Sequence, residues 1–403
     1  MKASWKVGIA AGVVMCGVGM VDAAVDISGT VDLKGQRVVY NEQLKGNGSF
    51  INSSEEQATL VINVGTKEGR SNFSGTISGN IRVEVLGSNA LQGFTSPGNR
   101  YTGGTYIEKG YLYIATADNI GTGPLELTQN GRLVKTGKEG APEFTGTINR
   151  VLENRVVVTG TGRLGVYNYH SLTVAGDVVL KDATLELWNA GTFTFTKPFT
   201  ADNVRGGTFN IKSAKVKAAP GVFGSDPDHV LPMTIRFEDV DKCNPVLSLS
   251  GDAAVCVSNV VYATAQTVSS CFTESAVKLA TDANGLKTLE GWRTDAGVKV
   301  FGEITVHDYA TIVQRGVVAI MPRAKPFSFY IPANASLTFT DLLSFPKGPD
   351  GQARGFVKRG PGTLVLEGGT DATGTISVEA GTLKIGVSIA EVSGQGRRRN
   401  PPV

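Results

Sequence analysis

One short phrase recurs in this chain. Ile107 to Ile114 read Ile-Glu-Lys-Gly-Tyr-Leu-Tyr-Ile, and Val378 to Ile385 read Val-Glu-Ala-Gly-Thr-Leu-Lys-Ile. Each copy follows a Gly-Thr, at Gly104-Thr105 and Gly374-Thr375. A glycine corner ahead of a period-2 apolar strand, repeated, describes coils that can bury their apolar faces only against one another. Gly103, Gly104, Gly110, Gly374 and Gly381 are therefore expected at the corners, where glycine accepts backbone angles that other residues resist.

A second phrase supports the same reading. Phe73-Ser-Gly-Thr-Ile77 returns as Phe144-Thr-Gly-Thr-Ile148 and as Ala372-Thr-Gly-Thr-Ile376, with a looser echo at Gly206-Gly207-Thr208-Phe209. Between the glycines lie short runs of Val, Ile, Leu and Thr, such as Ala58 to Val64, Ile81 to Val85, Leu185 to Leu187 and Leu364 to Leu366. Such runs bounded by turn residues read as strands. Helical pattern is confined to Glu274 to Ala280 and Leu286 to Glu290. An antiparallel sandwich would also give short strands; the repeats favour an all-β, right-handed parallel β-helix, with an irregular insertion in the middle.

Composition agrees. The 403 residues include 51 glycines, well above the usual ~7 %, with no period of three. The net charge is +3, part of it in Arg397-Arg398-Arg399, so nothing points to nucleic acid as a partner. Lys2 and Lys6 precede an apolar run from Val7 to Met20, and Val21-Asp22-Ala23 ends it with small residues. This reads as a secretory signal cut after Ala23, with Ala24 the second choice. The run is shorter than a bilayer span of ~20 residues, and Met15 ahead of Cys16 argues against a lipoprotein signal. No transmembrane segment is expected after cleavage. Cys243, Cys256 and Cys271 match no common metal-ligand spacing; one local disulfide with a free thiol, or three thiols, are both open. The expected divisions are a signal peptide at 1–23, β-helix repeats over 24–219, an irregular β region over 220–346, a closing repeat over 347–386 and a disordered tail over 387–403.

Gly98-Asn-Arg-Tyr101-Thr-Gly-Gly-Thr105, running on through Glu108 and Gly110 to Ile114, resembles the passenger-associated transport repeat of bacterial autotransporters. Lys358-Arg-Gly360-Pro-Gly362-Thr-Leu-Val-Leu366-Glu-Gly368 is similar to that family's lead-in strand, and Glu379-Ala-Gly381-Thr-Leu-Lys-Ile385 to its closing strand. Between them, Thr370 to Thr375 lacks the family's tyrosine and paired glycines. The resemblance implies an exported β-helical passenger and no particular activity. A family autotransporter ends in a membrane β-barrel, whereas this chain closes on the polar run Ser393 to Val403. The expectation is export without its own translocator, or a piece of a longer chain.

Candidate chemistry is thin. Glu238-Asp239-Val240-Asp241 and Asp226-Pro-Asp228-His229 are the best acidic clusters, and both read more simply as solvated turns. His170 and His307 are isolated. No Gly-x-Ser-x-Gly elbow or phosphate loop is present. The Asn-x-Ser sites at Asn47, Asn52, Asn72 and Asn334 read as fortuitous. Tyr101, Tyr106, Tyr111 and Tyr113 lie close together, and Tyr111 and Tyr113 share a strand face. They are expected to pack in the core or ladder with neighbouring rungs; an exposed face would instead stack on sugar rings.

The expectation is an exported structural or adhesive surface protein, extracellular or on the outer cell surface, and periplasmic if it has no translocator. No catalytic residue, metal or cofactor is expected. The alternatives are a module binding extracellular polysaccharide or a cell-surface ligand, and a polysaccharide lyase or hydrolase on a β-helix scaffold.

Overall fold

The computed structural model describes residues 24–64, 69–87, 91–136, 150–167, 170–189, 191–219, 221–224, 230–238, 245–249, 254–263, 267–271, 278–281, 287–290, 297–300, 303–306, 311–315, 318–320, 327–345 and 353–386. The Ala23 cleavage site, the 387–403 tail, Asp226, Asp228, His229, Asp239, Asp241 and His307 lie outside them, as do the side chains of Cys243, Cys256 and Cys271.

The fold is a parallel β-solenoid. A 16-stranded sheet runs most of its length, from Ser71–Phe73 to Ile376–Val378. A 7-stranded sheet, from Arg37–Tyr40 to Val178–Leu180, forms a second wall. The third wall is a 4-stranded sheet ending at Arg100–Tyr101, succeeded by a 10-stranded sheet that starts at Val151–Leu152. Between these two, one rung carries a short 3-10 turn at Ala117–Asn119. Among the described residues no helix is long and apolar enough to cross a membrane.

Alternation explains how the walls close. In Tyr111–Ile114 the second and fourth residues are buried, and in Leu231–Glu238 every other residue is. Inward residues stack rung on rung in strict register: Leu112 pairs with Leu133, then Leu164, Leu187, Ile211 and Phe237 follow. All six are buried. Aromatic rings fill the wider parts of the core. Phe50, Phe73 and Phe94 follow one another at 5.6 and 6.3 Å between centroids.

The region over 220–346 contributes to the same walls, since Leu231–Glu238 and Ala254–Tyr262 both belong to the long sheet. Lys278–Thr281 and Lys287–Glu290 form an antiparallel pair rather than the two helical stretches their composition suggested. Pairing across the two segments overrides their weak local helical propensity.

Candidate functional site

Register also builds the outer face of the long sheet. Residues pointing away from the core stack in lines parallel to the solenoid axis. One line runs Tyr111, Arg132, Arg163, Glu186, Asn210 and Arg236. A second, on the same face, runs Thr161, Thr184, Thr208 and Thr234.

The upstream end of this face is aromatic and cationic. Tyr111 and Tyr113 point outward and stack nearly parallel, with centroids 5.8 Å apart and planes 6° apart. Their rings are not bare. The Arg132 guanidinium lies 4.2 Å from the Tyr111 centroid, and Arg70 lies 5.0 Å from that of Tyr113. Each is a cation–π contact. Burial, with the nearby Tyr167 and Tyr111 hydroxyls, pushes the Tyr113 phenol up to about 12. Trp188 pairs with Gly165, and a Cβ there would lie 2.9 Å from the Trp188 Nε1. The missing side chain lets the indole extend to Tyr111, which it meets edge-on at 6.4 Å.

The other tyrosines are placed differently. Tyr101 is fully buried, and its hydroxyl is 2.6 Å from the Thr105 hydroxyl. Tyr106 lies on the 7-stranded sheet under Arg82, at 5.1 Å. Arg82 then forks onto both oxygens of Glu126, at 2.9 Å each. That fork, the largest cause, holds the Glu126 carboxyl below its ordinary value of 4.5. Its contribution to stability is therefore present above 4.5 and lost as pH falls through the lower folded-state value. Glu126→Gln is expected to lower the urea midpoint by an amount worth about 1 kcal/mol or less at neutral pH, because the pair is half-exposed. The gap from wild type should close on titration below 4.5.

Downstream, the outer face sinks into an open trough of about 380 Å³ lined by Thr161, Thr184, Glu186, Asn210, Arg236 and Glu238, with Thr208 and Lys212 completing it. Arg163 donates to Glu186. Lys212 sits 3.3 Å from Glu238, and Asn210 Nδ2 donates to Glu238 at 2.9 Å. Burial pushes the Glu238 carboxyl up, but the Asn210 amide and the Lys212 and Arg236 cations outweigh it and hold the group below its ordinary value. Asn210 is 2 % exposed, and its Oδ1 accepts no hydrogen bond among the described residues. Arg236 Nε lies 3.4 Å from Glu238 Oε2, near enough for attraction, yet its N–H is not aimed at an acceptor.

Of the acidic cluster singled out in the sequence, Glu238 thus ends a paired strand and lines the trough instead of lying in a solvated turn. The His170 backbone N–H donates to the Tyr167 carbonyl at 3.0 Å. Arg70, Arg132, Arg163, Glu186, Trp188, Asn210, Lys212 and Arg236 were not anticipated. The signal was present as Thr161-Gly-Arg-Leu-Gly, Thr184-Leu-Glu-Leu-Trp, Thr208-Phe-Asn-Ile-Lys and Thr234-Ile-Arg-Phe-Glu, aligned runs of one form at uneven spacing.

The glycines occupy close approaches. A Cβ on Gly103 would lie 2.6 Å from the Ile81 carbonyl, and one on Gly374 2.7 Å from the Arg354 backbone. Gly104 and Gly381 have φ of +91° and +77°. At the first copy of the recurrent phrase the left-handed residue is Lys109, at +63°, and not Gly110. The two copies also turn different corners. Thr105–Glu108 leads from the 7-stranded sheet into Tyr111–Ile114 of the long sheet, whereas Ile376–Val378 leads from the long sheet into Thr382–Ile385 of the 10-stranded one. Near the second copy, Lys358 is fully buried. Its ammonium donates to the carbonyls of Gly360, Arg359 and Ala380 at 2.7, 3.0 and 3.1 Å, which ties the lead-in strand to the Gly381 corner.

A family model for the passenger-associated transport repeat matches residues 91–114 and 356–385. Comparison with curated proteins and with solved structures yields no match. Each matched segment is a set of strands and the corner joining them, set into continuous parallel walls. Two such repeats set in a parallel β-solenoid support an autotransporter passenger-type β-helical protein.

Proposed function

We propose that this exported passenger-type scaffold is displayed outside the cell or on its outer surface, and that it acts as an adhesive without catalysing a reaction. The observation that carries the reading is the pairing of charges across rungs on the outer walls: Arg82 with Glu126, Arg163 with Glu186, and Lys212 with Glu238. A carboxylate held by its own cation is a poor general acid or base at neutral pH. An extended wall of such pairs suits contact along a length.

Intact cells expressing the full-length protein should bind an antibody to the solenoid without permeabilisation, and should adhere to a target surface more than cells lacking it. Antibody signal only after permeabilisation would overturn surface display. For the enzyme alternative, purified protein is incubated with polygalacturonate and new chain ends are measured. Cleavage that disappears in Asp226→Asn and Asp228→Asn variants would replace the adhesive reading with a polysaccharide lyase or hydrolase.

A further inference from the structure

We propose that the trough on the outer face of the long sheet is a binding site for a neutral oligosaccharide lying along the solenoid axis. This deepens the adhesive reading and rests on it only for where the ligand is met. The first support is the pair of unmet polar atoms. Asn210 Oδ1 is an acceptor lacking a donor, and Arg236 Nε–H is a donor lacking a well-aimed acceptor; both atoms are buried, and both residues line the trough. Buried polar atoms are costly when left unpaired. A hydroxyl group is donor and acceptor at once, so neighbouring hydroxyls of one sugar satisfy both. An ion without O–H groups offers only acceptors and would leave Asn210 Oδ1 unmet.

Charge points the same way. Glu186 and Glu238 face Lys212 and Arg236 across the trough, so the lining is balanced and does not favour an acidic chain. Shape adds direction. Thr161, Thr184, Thr208 and Thr234 stand in register on successive rungs. At 4.7–4.9 Å per rung they form a line of hydroxyls about 14 Å long, which suits a few linked sugar rings. Trp188 shares its strand face with Glu186, but it lies outside the lining and its indole turns toward Tyr111. Tyr111 and Tyr113 do not serve as a stacking platform, because Arg132 and Arg70 already lie over them.

The test uses the purified full-length protein, titrated calorimetrically with neutral hexasaccharides of glucose, galactose or mannose, and with hexagalacturonate as the acidic arm. At least one neutral hexasaccharide is expected to bind, with an affinity unchanged by a tenfold rise in salt. Asn210→Ala should weaken it about tenfold, the worth of one buried hydrogen bond. Thr184→Val, at a half-exposed position, should also weaken it measurably, and it keeps the test open if Asn210→Ala does not fold. Three outcomes overturn the site: no binding of any neutral probe at millimolar concentration, wild-type affinity in the folded variants, or tighter, salt-sensitive binding of hexagalacturonate. Cells that adhere without hexasaccharide binding sink the trough alone; hexasaccharide binding without adherence sinks the adhesive reading alone.

Discussion

Gly103→Ala is expected to destabilise the solenoid by about 2–4 kcal/mol, whereas Gly29→Ala should be neutral within about 0.5 kcal/mol. The two positions carry the same residue and differ in surroundings. An added Cβ at Gly103 meets three backbone atoms of the preceding rung, Ile81 C and O at 2.6 Å and Arg82 N at 2.7 Å. None of these can swing aside as a side-chain tip would. Around Gly29 nothing lies within 4 Å, and its φ is not left-handed. Because each coil touches chiefly its neighbours, the lesion should stay local. Limited proteolysis should therefore find new cleavage near residues 81–105 in the Gly103 variant, together with a lower urea midpoint. A Gly103→Ala protein with the wild-type midpoint and no new cut would mean that the rungs are not stacked as described.

This contrast also marks how far the sequence could be read. The glycine phrases pointed to stacked parallel coils because glycine eases the tight backbone approach that corners of stacked rungs require. They could not say which corner. The copies ending at Ile114 and Ile385 close on different sheets, since a strand–corner–strand unit fits wherever two walls meet. The left-handed residue is likewise not fixed by composition. Lys109 takes it in one copy and Gly381 in the other, because register with the adjoining rungs sets the angle and glycine only makes it easier. The trough was harder to see. Its residues stand on four strands separated by loops of unequal length, so Arg163, Glu186, Asn210 and Arg236 share no fixed period, and only pairing brings them into line. Tyr111 and Tyr113 were legible as a shared strand face, but the arginines that cover them come from other strands or loops.

Phe209→Ala should have the largest effect of any single change near the trough, costing about 3–5 kcal/mol. Phe209 is fully buried, and its ring meets Phe195 at 5.1 Å, Phe223 at 5.2 Å and Phe199 at 5.8 Å, so truncation opens a cavity where several rings converge. The rings belong to a core that alternates with the outer face along one strand. Thr208 and Asn210 flank Phe209 and point the other way, into the trough. A lesion inside is therefore transmitted outside by the backbone alone. Phe209→Leu, which keeps most of the volume, should cost about 1 kcal/mol and leave the outer face in place. Urea midpoints measure the first effect. The second is read by the hexasaccharide titration, in which Phe209→Ala should lose affinity although the residue touches no ligand, and Phe209→Leu should retain it. If both variants bound with wild-type affinity while only the alanine protein was destabilised, the trough would not depend on the core beneath it. The backbone-held positions of Asn210 and its threonine neighbours would then need another source of order.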